Sequence, residues 1–312
     1  MKNLDYSGAG RDSKLEIIPS KEDNLMFCRA TGDTNDYHNP KRYTNTGLGR
    51  RVGSEILTGM MLSMIGEVFS YYVMNRDGNG LIELASAKIK LASPALPGHG
   101  LVYTVEGRKG QDISLEVRTS EIQSKRKDKG DRRLKDALFV YREELGEFSE
   151  DIGGYQQVLS KQINAEEIRK VLESIGLSPE GYTPAMLWAA YTISEALLRF
   201  KNISDSMKGK SFFYNSLGFE FYKGMETMDS LKNTMLRCNR NPGVSLDVLV
   251  KLAEEQAGKM DVSTIVACEG KVLCKVDTKL ATFEEIKVGF YAKLMRILQL
   301  LKKKAGNWYS NS

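Results

Sequence analysis

One order of segments occurs twice in this sequence, a long apolar stretch of helical character followed by a succession of short strand-like runs. The first stretch, Ile56 to Met74, precedes Leu81 to Leu91, Leu101 to Arg108, Ile113 to Ile122 and Leu134 to Glu143. These runs carry β-type residues in partial alternation. Turn signals separate them: Pro94, Pro97-Gly98, Lys109-Gly110-Gln111-Asp112 and a charged run around Gly130. Antiparallel strands wrapped on one long helix are the natural assembly for such an order, an α+β architecture. The second half repeats it with helices over Asn164 to Ile175 and Tyr182 to Phe200. Its strands are Ser211 to Lys223, Val244 to Leu252, Met260 to Cys268 and Val272 to Thr282. The chain therefore reads as two degenerate copies of one unit, joined near Phe148 to Gly154. A last helix, Glu284 to Lys304, is apolar at Ile286, Phe290, Leu294, Ile297, Leu298 and Leu301, and is expected to pack across the pair.

Composition narrows the class. With 41% hydrophobic and 27% charged residues, the 312-residue chain has the make-up of a soluble globular protein. Ile56 to Met74 is long enough to cross a membrane, but Glu67 sits near its middle and Thr58, Gly59, Ser63, Gly66 and Ser70 dilute its hydrophobicity. A buried core helix is expected, and no membrane span. The net charge of +5 is a weak pull toward acidic partners, whether phosphate groups, an acidic carrier protein or nucleic acid. Much of it is local, in Lys125, Arg126, Lys127, Lys129, Arg132, Arg133 and Lys135, a pattern that reads as a solvated hairpin tip.

Four cysteines without a C-x-x-C pair or a histidine cluster imply neither a disulfide framework nor zinc. Asn75-Arg76-Asp77-Gly78-Asn79-Gly80 opens like a calcium loop but has Ser86 where the bidentate glutamate belongs, so a tight turn is expected and no metal. Dinucleotide, Walker and nucleophile-elbow sequences are missing. Met1 to Lys14 has no apolar stretch of the secretory kind, so cytoplasmic residence is the expectation.

Acid and base chemistry near neutral pH has few candidates, because the chain has two histidines. His99 lies in the turn Pro97-Gly98-His99-Gly100 and reads as structural or exposed. His38 ends Thr31-Gly32-Asp33-Thr34-Asn35-Asp36-Tyr37-His38, a polar loop that follows a helix capped by Ser20 and stopped at Gly32. Taken by itself, such a loop is either a helix-exit turn or a site.

Phe27 to His38 resembles the hydratase motif of the MaoC-like and (R)-specific enoyl-CoA hydratases, in which a helix ends in Ser/Thr-Gly-Asp-x-Asn-Pro-x-His. Thr58-Gly59-Met60-Met61-Leu62 is similar to that family's start of the central helix. Lys88 to Leu96 with Pro97-Gly98-His99 is similar to its strand leading into a Pro…Gly-Asp turn. The resemblance covers roughly the first half of the chain.

It implies a double hot-dog fold, with two long central helices each wrapped by an antiparallel sheet. Residues 1–150 would carry the motif, and residues 151–312 would be a non-catalytic copy shaping an acyl tunnel. The implied activity is that of a hydro-lyase, hydrating trans-2-enoyl thioesters or dehydrating 3-hydroxyacyl thioesters without a cofactor. The partner is then an acyl-CoA or acyl carrier protein thioester, with no nucleic acid, and a homodimer is compatible. Asp33 and His38 would activate one water. The backbone N–H of Gly59 would face the thioester oxygen, Asn35 would brace the loop, and Thr58, Met60 and Met61 would contact the acyl group. Two positions depart from the pattern: the family's proline is Asp36, which sets another carboxylate beside the pair, and its helix-start histidine is Thr58. A hot-dog thioesterase and a non-catalytic acyl-binding subunit are the alternatives.

Overall fold

The computed structural model describes residues 14–76, 82–109, 112–122, 132–178, 182–203, 210–237, 243–256 and 259–284. In the first half a short strand β1 (Lys14–Ile17) leads into helix α1 (Lys21–Thr31), whose ends are fixed locally. Ser20 and Asp23 form a reciprocal capping box, and Gly32 closes the helix at φ 75°, a left-handed conformation that costs glycine nothing. A loop containing the short helix α2 (Gly47–Val52) follows, then α3 (Gly59–Arg76). The apolar pattern begins at Ile56, three residues before the helix. The N–H groups of Ile56 and Leu57 are taken by the carbonyls of Tyr37 and Ala95, which hold that entry extended. Met61, Met64, Ile65, Val68 and Phe69 are fully buried, so α3 is a core helix; among the described residues no helix is long and apolar enough to cross a membrane.

Strands β2 (Glu83–Leu91), β3 (Leu101–Lys109), β4 (Ile113–Glu121) and β5 (Arg132–Arg142) complete the first half, within two residues of the expected runs. Alternation drives them: Leu115, Val117, Ala137 and Phe139 point to α3, and Glu116, Arg118, Asp136 and Leu138 away from it.

The second half runs β6 (Gln156–Ile163), α4 (Ala165–Ser174), α5 (Leu187–Ala190), α6 (Ile193–Ile203), β7 (Lys210–Phe221), α7 (Gly224–Arg237), β8 (Val244–Gln256), β9 (Lys259–Cys268) and β10 (Lys271–Glu284). All strands join one antiparallel sheet in the order β1-β3-β4-β5-β2-β7-β10-β9-β8-β6. Read outward from the central β2·β7 pair, where Ala87 faces Phe219, the order on one side repeats that on the other. This is a double hot-dog fold. The Phe148 to Gly154 segment lies between β5 and β6.

The structure departs from one expected element and adds three. The single helix expected over Tyr182 to Phe200 is two pieces. Thr192 Oγ1 donates back to the carbonyls of Trp188 and Ala189, and Lys161 Nζ donates to that of Tyr191, so the first piece stops there. Two edge strands carry little local signal: β1 has four residues, and β6 is largely polar, as an edge exposed on one side tolerates. Helix α7 is the third added element, and Met225 and Met228 bury one of its faces. Of the basic run expected as a solvated tip, Arg132, Arg133 and Lys135 belong to β5 and Lys135 is buried; residues 123–131, most of the calcium-like turn and the terminal helix beyond Glu284 lie outside the described residues.

Candidate active site

The loop between α1 and α3 is built from side chains that bond to nearby backbone. The Asp33 N–H donates to Cys28 O at 2.9 Å, closing the helix end, and Asp33 Oδ1 accepts from Asn35 N at 3.1 Å. Asn35 Oδ1 accepts from Tyr37 N at 3.1 Å and caps a single 3-10 turn, Asp36–His38. Asp33 and His38 are thereby brought together, with His38 Nε2 3.8 Å from Asp33 Oδ2 and side-chain exposures of 11% and 3%.

The histidine tautomer follows from its other nitrogen. His38 Nδ1 lies 2.7 Å from the carbonyl of Ile56, which only accepts, so Nδ1 carries a proton, and in the neutral ring Nε2 presents a lone pair to Asp33. Two acceptors at 3.8 Å are too far apart for a mutual hydrogen bond. They suit a donor with two protons seated between them, at about 2.8 Å from each. The carboxylate of Asp36 is 39% exposed and lies 3.8 Å from Arg42 Nη1. Cys28 is beside Asp33, and burial together with that carboxylate pushes its thiol well up, so it is no nucleophile.

At the start of α3, Thr58 is buried, and its N–H donates to Asn24 Oδ1 at 2.9 Å. Gly59 is the first helical residue; a Cβ there would come 3.0 Å from Leu91 Cδ1, so close packing on β2 also favours glycine. Leu62 N is the first amide of the helix seen to bond within it, to Thr58 O, and the amides before it are the ones a helix start leaves for other acceptors. Met60 and Met61 both sit in the hydrophobic core, Met61 fully buried. His99 is 47% exposed and pairs with Glu121, which Arg132 also holds.

Asn24, Ser194 and Lys161, outside the motif, bond to this region. Asn24 bonds the loop and the helix start together. From the second half, Ser194 Oγ donates to Asp33 Oδ2 at 3.3 Å, and Lys161 Nζ donates to Thr31 O at 3.0 Å. Glu67, fully buried on α3, accepts from Tyr182 Oη, Ala185 N and Met186 N at 2.9, 2.5 and 3.2 Å; burial raises its carboxyl to about 7 against those bonds. A cleft of about 1040 Å³ opens elsewhere, beside Lys88, Lys90, Arg118, Asp136, Gly218 and Asp277 on the sheet, and neither Asp33 nor His38 lines it.

No protein-family model matches the sequence, and no curated protein matches it. Solved structures similar to this chain include MaoC-like dehydratases. A putative MaoC domain protein dehydratase from Chloroflexus aurantiacus aligns at TM-score 0.54 and 9% identity, over 86% of this chain and 93% of that one. A chain described as a MaoC-like dehydratase aligns at 0.52 and 8% identity, over 85% and 95%. The Mycobacterium tuberculosis protein RV0216, described as a double hot-dog, aligns at 0.52 and 9% identity, over 86% and 94%. Chains described as thioesterases also align, at TM-scores of 0.42 to 0.46, too loosely to bear on activity. At these identities the shared property is the double hot-dog fold.

Proposed function

We propose that this protein is a hydro-lyase acting on acyl thioesters, adding water to trans-2-enoyl chains or removing it from 3-hydroxyacyl chains. The observation that carries this reading is the Asp33–His38 pair, two acceptors 3.8 Å apart with the imidazole tautomer set by Ile56 O. A water between them donates one proton to each. As its oxygen bonds to Cβ of the enoyl chain, one proton passes to His38 Nε2 and the other stays on the new hydroxyl, held by Asp33. The imidazolium then returns its proton to Cα, which balances the addition. Charge gathering on the thioester oxygen is met by the free amides and positive pole at the start of α3, Gly59 first. Thr58, Met60 and Met61 bound the acyl path, Asn35 holds the loop, and residues 1–150 form the catalytic unit with 151–312 as its support. The carrier is CoA or acyl carrier protein in a cytoplasmic setting.

A thioesterase using a carboxylate on the central helix has less support. Glu67 is fully buried and already accepts three hydrogen bonds.

The test is the loss of enoyl absorbance when protein is added to crotonyl-CoA and a longer trans-2-enoyl-CoA. Asp33→Asn and His38→Ala each lower kcat on the order of 10²–10⁴-fold, with circular dichroism unchanged. Silence of the wild-type protein on every enoyl thioester, CoA-borne and carrier-protein-borne, sinks the proposal.

A further inference from the structure

We infer that Ser194 and Tyr214, both from the second half, are positioning residues that fix the Asp33 carboxylate in its reactive orientation, an inference that rests on the hydro-lyase reading. Ser194 Oγ lies 3.3 Å from Asp33 Oδ2, and Tyr214 Oη lies 3.2 Å from Ser194 Oγ. A carboxylate only accepts, so the serine proton goes to Asp33, and the serine oxygen is left to accept from Tyr214. Burial and the Asp33 charge both push the Tyr214 hydroxyl up, which keeps it protonated and a donor.

The chain of bonds, Tyr214 to Ser194 to Asp33, ends on Oδ2, the same oxygen that faces His38. Oδ1 is held from the other side by Asn35 N. With one donor on each oxygen the carboxylate cannot turn about its Cβ–Cγ bond, and a lone pair of Oδ2 stays aimed at the space before His38. Removing the serine hydroxyl leaves only the Oδ1 anchor.

Lys161 fixes the spacing of the two partners. Its ammonium donates to Thr31 O at 3.0 Å and to Tyr191 O at 2.9 Å, and lies 3.4 Å from Glu195 Oε2. Thr31 is two residues before Asp33, and Tyr191 three before Ser194. The interruption between α5 and α6 frees the Tyr191 carbonyl for this lysine and places Ser194 in the first turn of α6, at Asp33. The broken helix of the second half thus has a role in the site of the first.

The test uses the full chain with Ser194→Ala, Ser194→Thr and Tyr214→Phe. Ser194→Ala lowers kcat about tenfold, the equivalent of one hydrogen bond, with KM within about twofold. Ser194→Thr, which keeps the hydroxyl, restores most of it, and Tyr214→Phe falls between. An unchanged kcat in Ser194→Ala, with only the melting temperature lowered, overturns the inference. An activity-free readout separates this from failure of the hydro-lyase reading. The chain has two histidines, so ¹H–¹³C spectra hold two Cε1 signals, and His99→Gln assigns them. Displacement of the His38 signal in Ser194→Ala, absent in Ser194→Thr, supports the positioning role even if no thioester is turned over. An unmoved His38 signal overturns it.

Discussion

Asn24 and Thr58, 34 residues apart in sequence, are joined by a hydrogen bond from the Thr58 amide to Asn24 Oδ1 at 2.9 Å. The other end of the same side chain, Nδ2, donates to the carbonyls of His38 and Ile56, each at 3.4 Å. One buried amide therefore fastens α1 to the loop and to the start of α3. Asn24→Ala takes the acceptor from the buried Thr58 amide and a donor from the His38 carbonyl, while the Ile56 carbonyl keeps His38 Nδ1, and is expected to cost about 1–3 kcal/mol in urea unfolding. Asn24→Asp is expected to be worse than alanine, because a carboxylate oxygen then faces two carbonyl oxygens. Stability of Asn24→Asp equal to that of the wild type would remove Asn24 from this role.

Gly32 turns the chain from α1 into Asp33 at φ 75°. A Cβ there would lie 2.9 Å from Lys161 Nζ as well as in a strained backbone conformation. Gly32→Ala is expected to cost about 1–2 kcal/mol and to lower kcat by displacing Asp33. Thermal melting and steady-state rates measure both, and an alanine variant with wild-type melting would show that neither the backbone nor the lysine resists it.

Glu67 gives stability a dependence on pH whose sign is fixed by burial. Its carboxyl is raised from 4.5 to about 7 because charge is disfavoured inside the core, so the folded chain binds the proton more tightly than the unfolded one. The contribution is fully present below about pH 4.5 and is lost as pH rises through about 7. The difference corresponds to roughly 3 kcal/mol. Urea unfolding at pH 4.5, 6 and 7.5 should show this fall in the wild type and not in Glu67→Gln. That variant is less stable at the lowest pH, because its amide nitrogen meets the donor Met186 N.

Lys135 is the opposite case. Its ammonium is buried under α3 with Ser63 Oγ at 3.3 Å and the Tyr103 ring at 5.8 Å, and desolvation holds it well below the usual lysine range. A base lowered on folding contributes stability at pH above the ordinary lysine value and loses it as pH falls through the lowered one. Lys135→Met is therefore expected to stabilise the protein near pH 7, on the order of 1–3 kcal/mol, and by less above pH 10.5. A lower melting temperature for Lys135→Met at neutral pH would contradict this.

Much of the first half was legible because its signals are local. Ser20 and Gly32 mark the ends of α1 by hydrogen bonds and a backbone angle confined to a few residues. The strands from Glu83 to Arg142 are legible because one face of the sheet is buried and the other is not, so alternate residues differ. Asp33, Asn35 and His38 are visible as a loop dense in hydrogen-bonding groups. Their distances are not, since they depend on Ile56 O and on the 3-10 turn between them. The apolar run from Tyr182 could not announce its own break, because Lys161, which takes the Tyr191 carbonyl, lies on another strand.

Local sequence signals are enough for the first long helix, for the strands that follow each apolar stretch, and for the polar loop with the acid and the imidazole. Those rest on the period of apolar residues and on capping chemistry, both written within a few positions of the chain. Tertiary structure alone decided that β2 pairs with β7 to make one sheet, that Asn24 reaches Thr58, and that Ser194 and Tyr214 stand behind Asp33. Each of these is a contact between side chains or strands far apart in sequence, and no local preference specifies it. It forms because burying the apolar faces takes these polar groups out of water, where each is stable only with a partner in the protein.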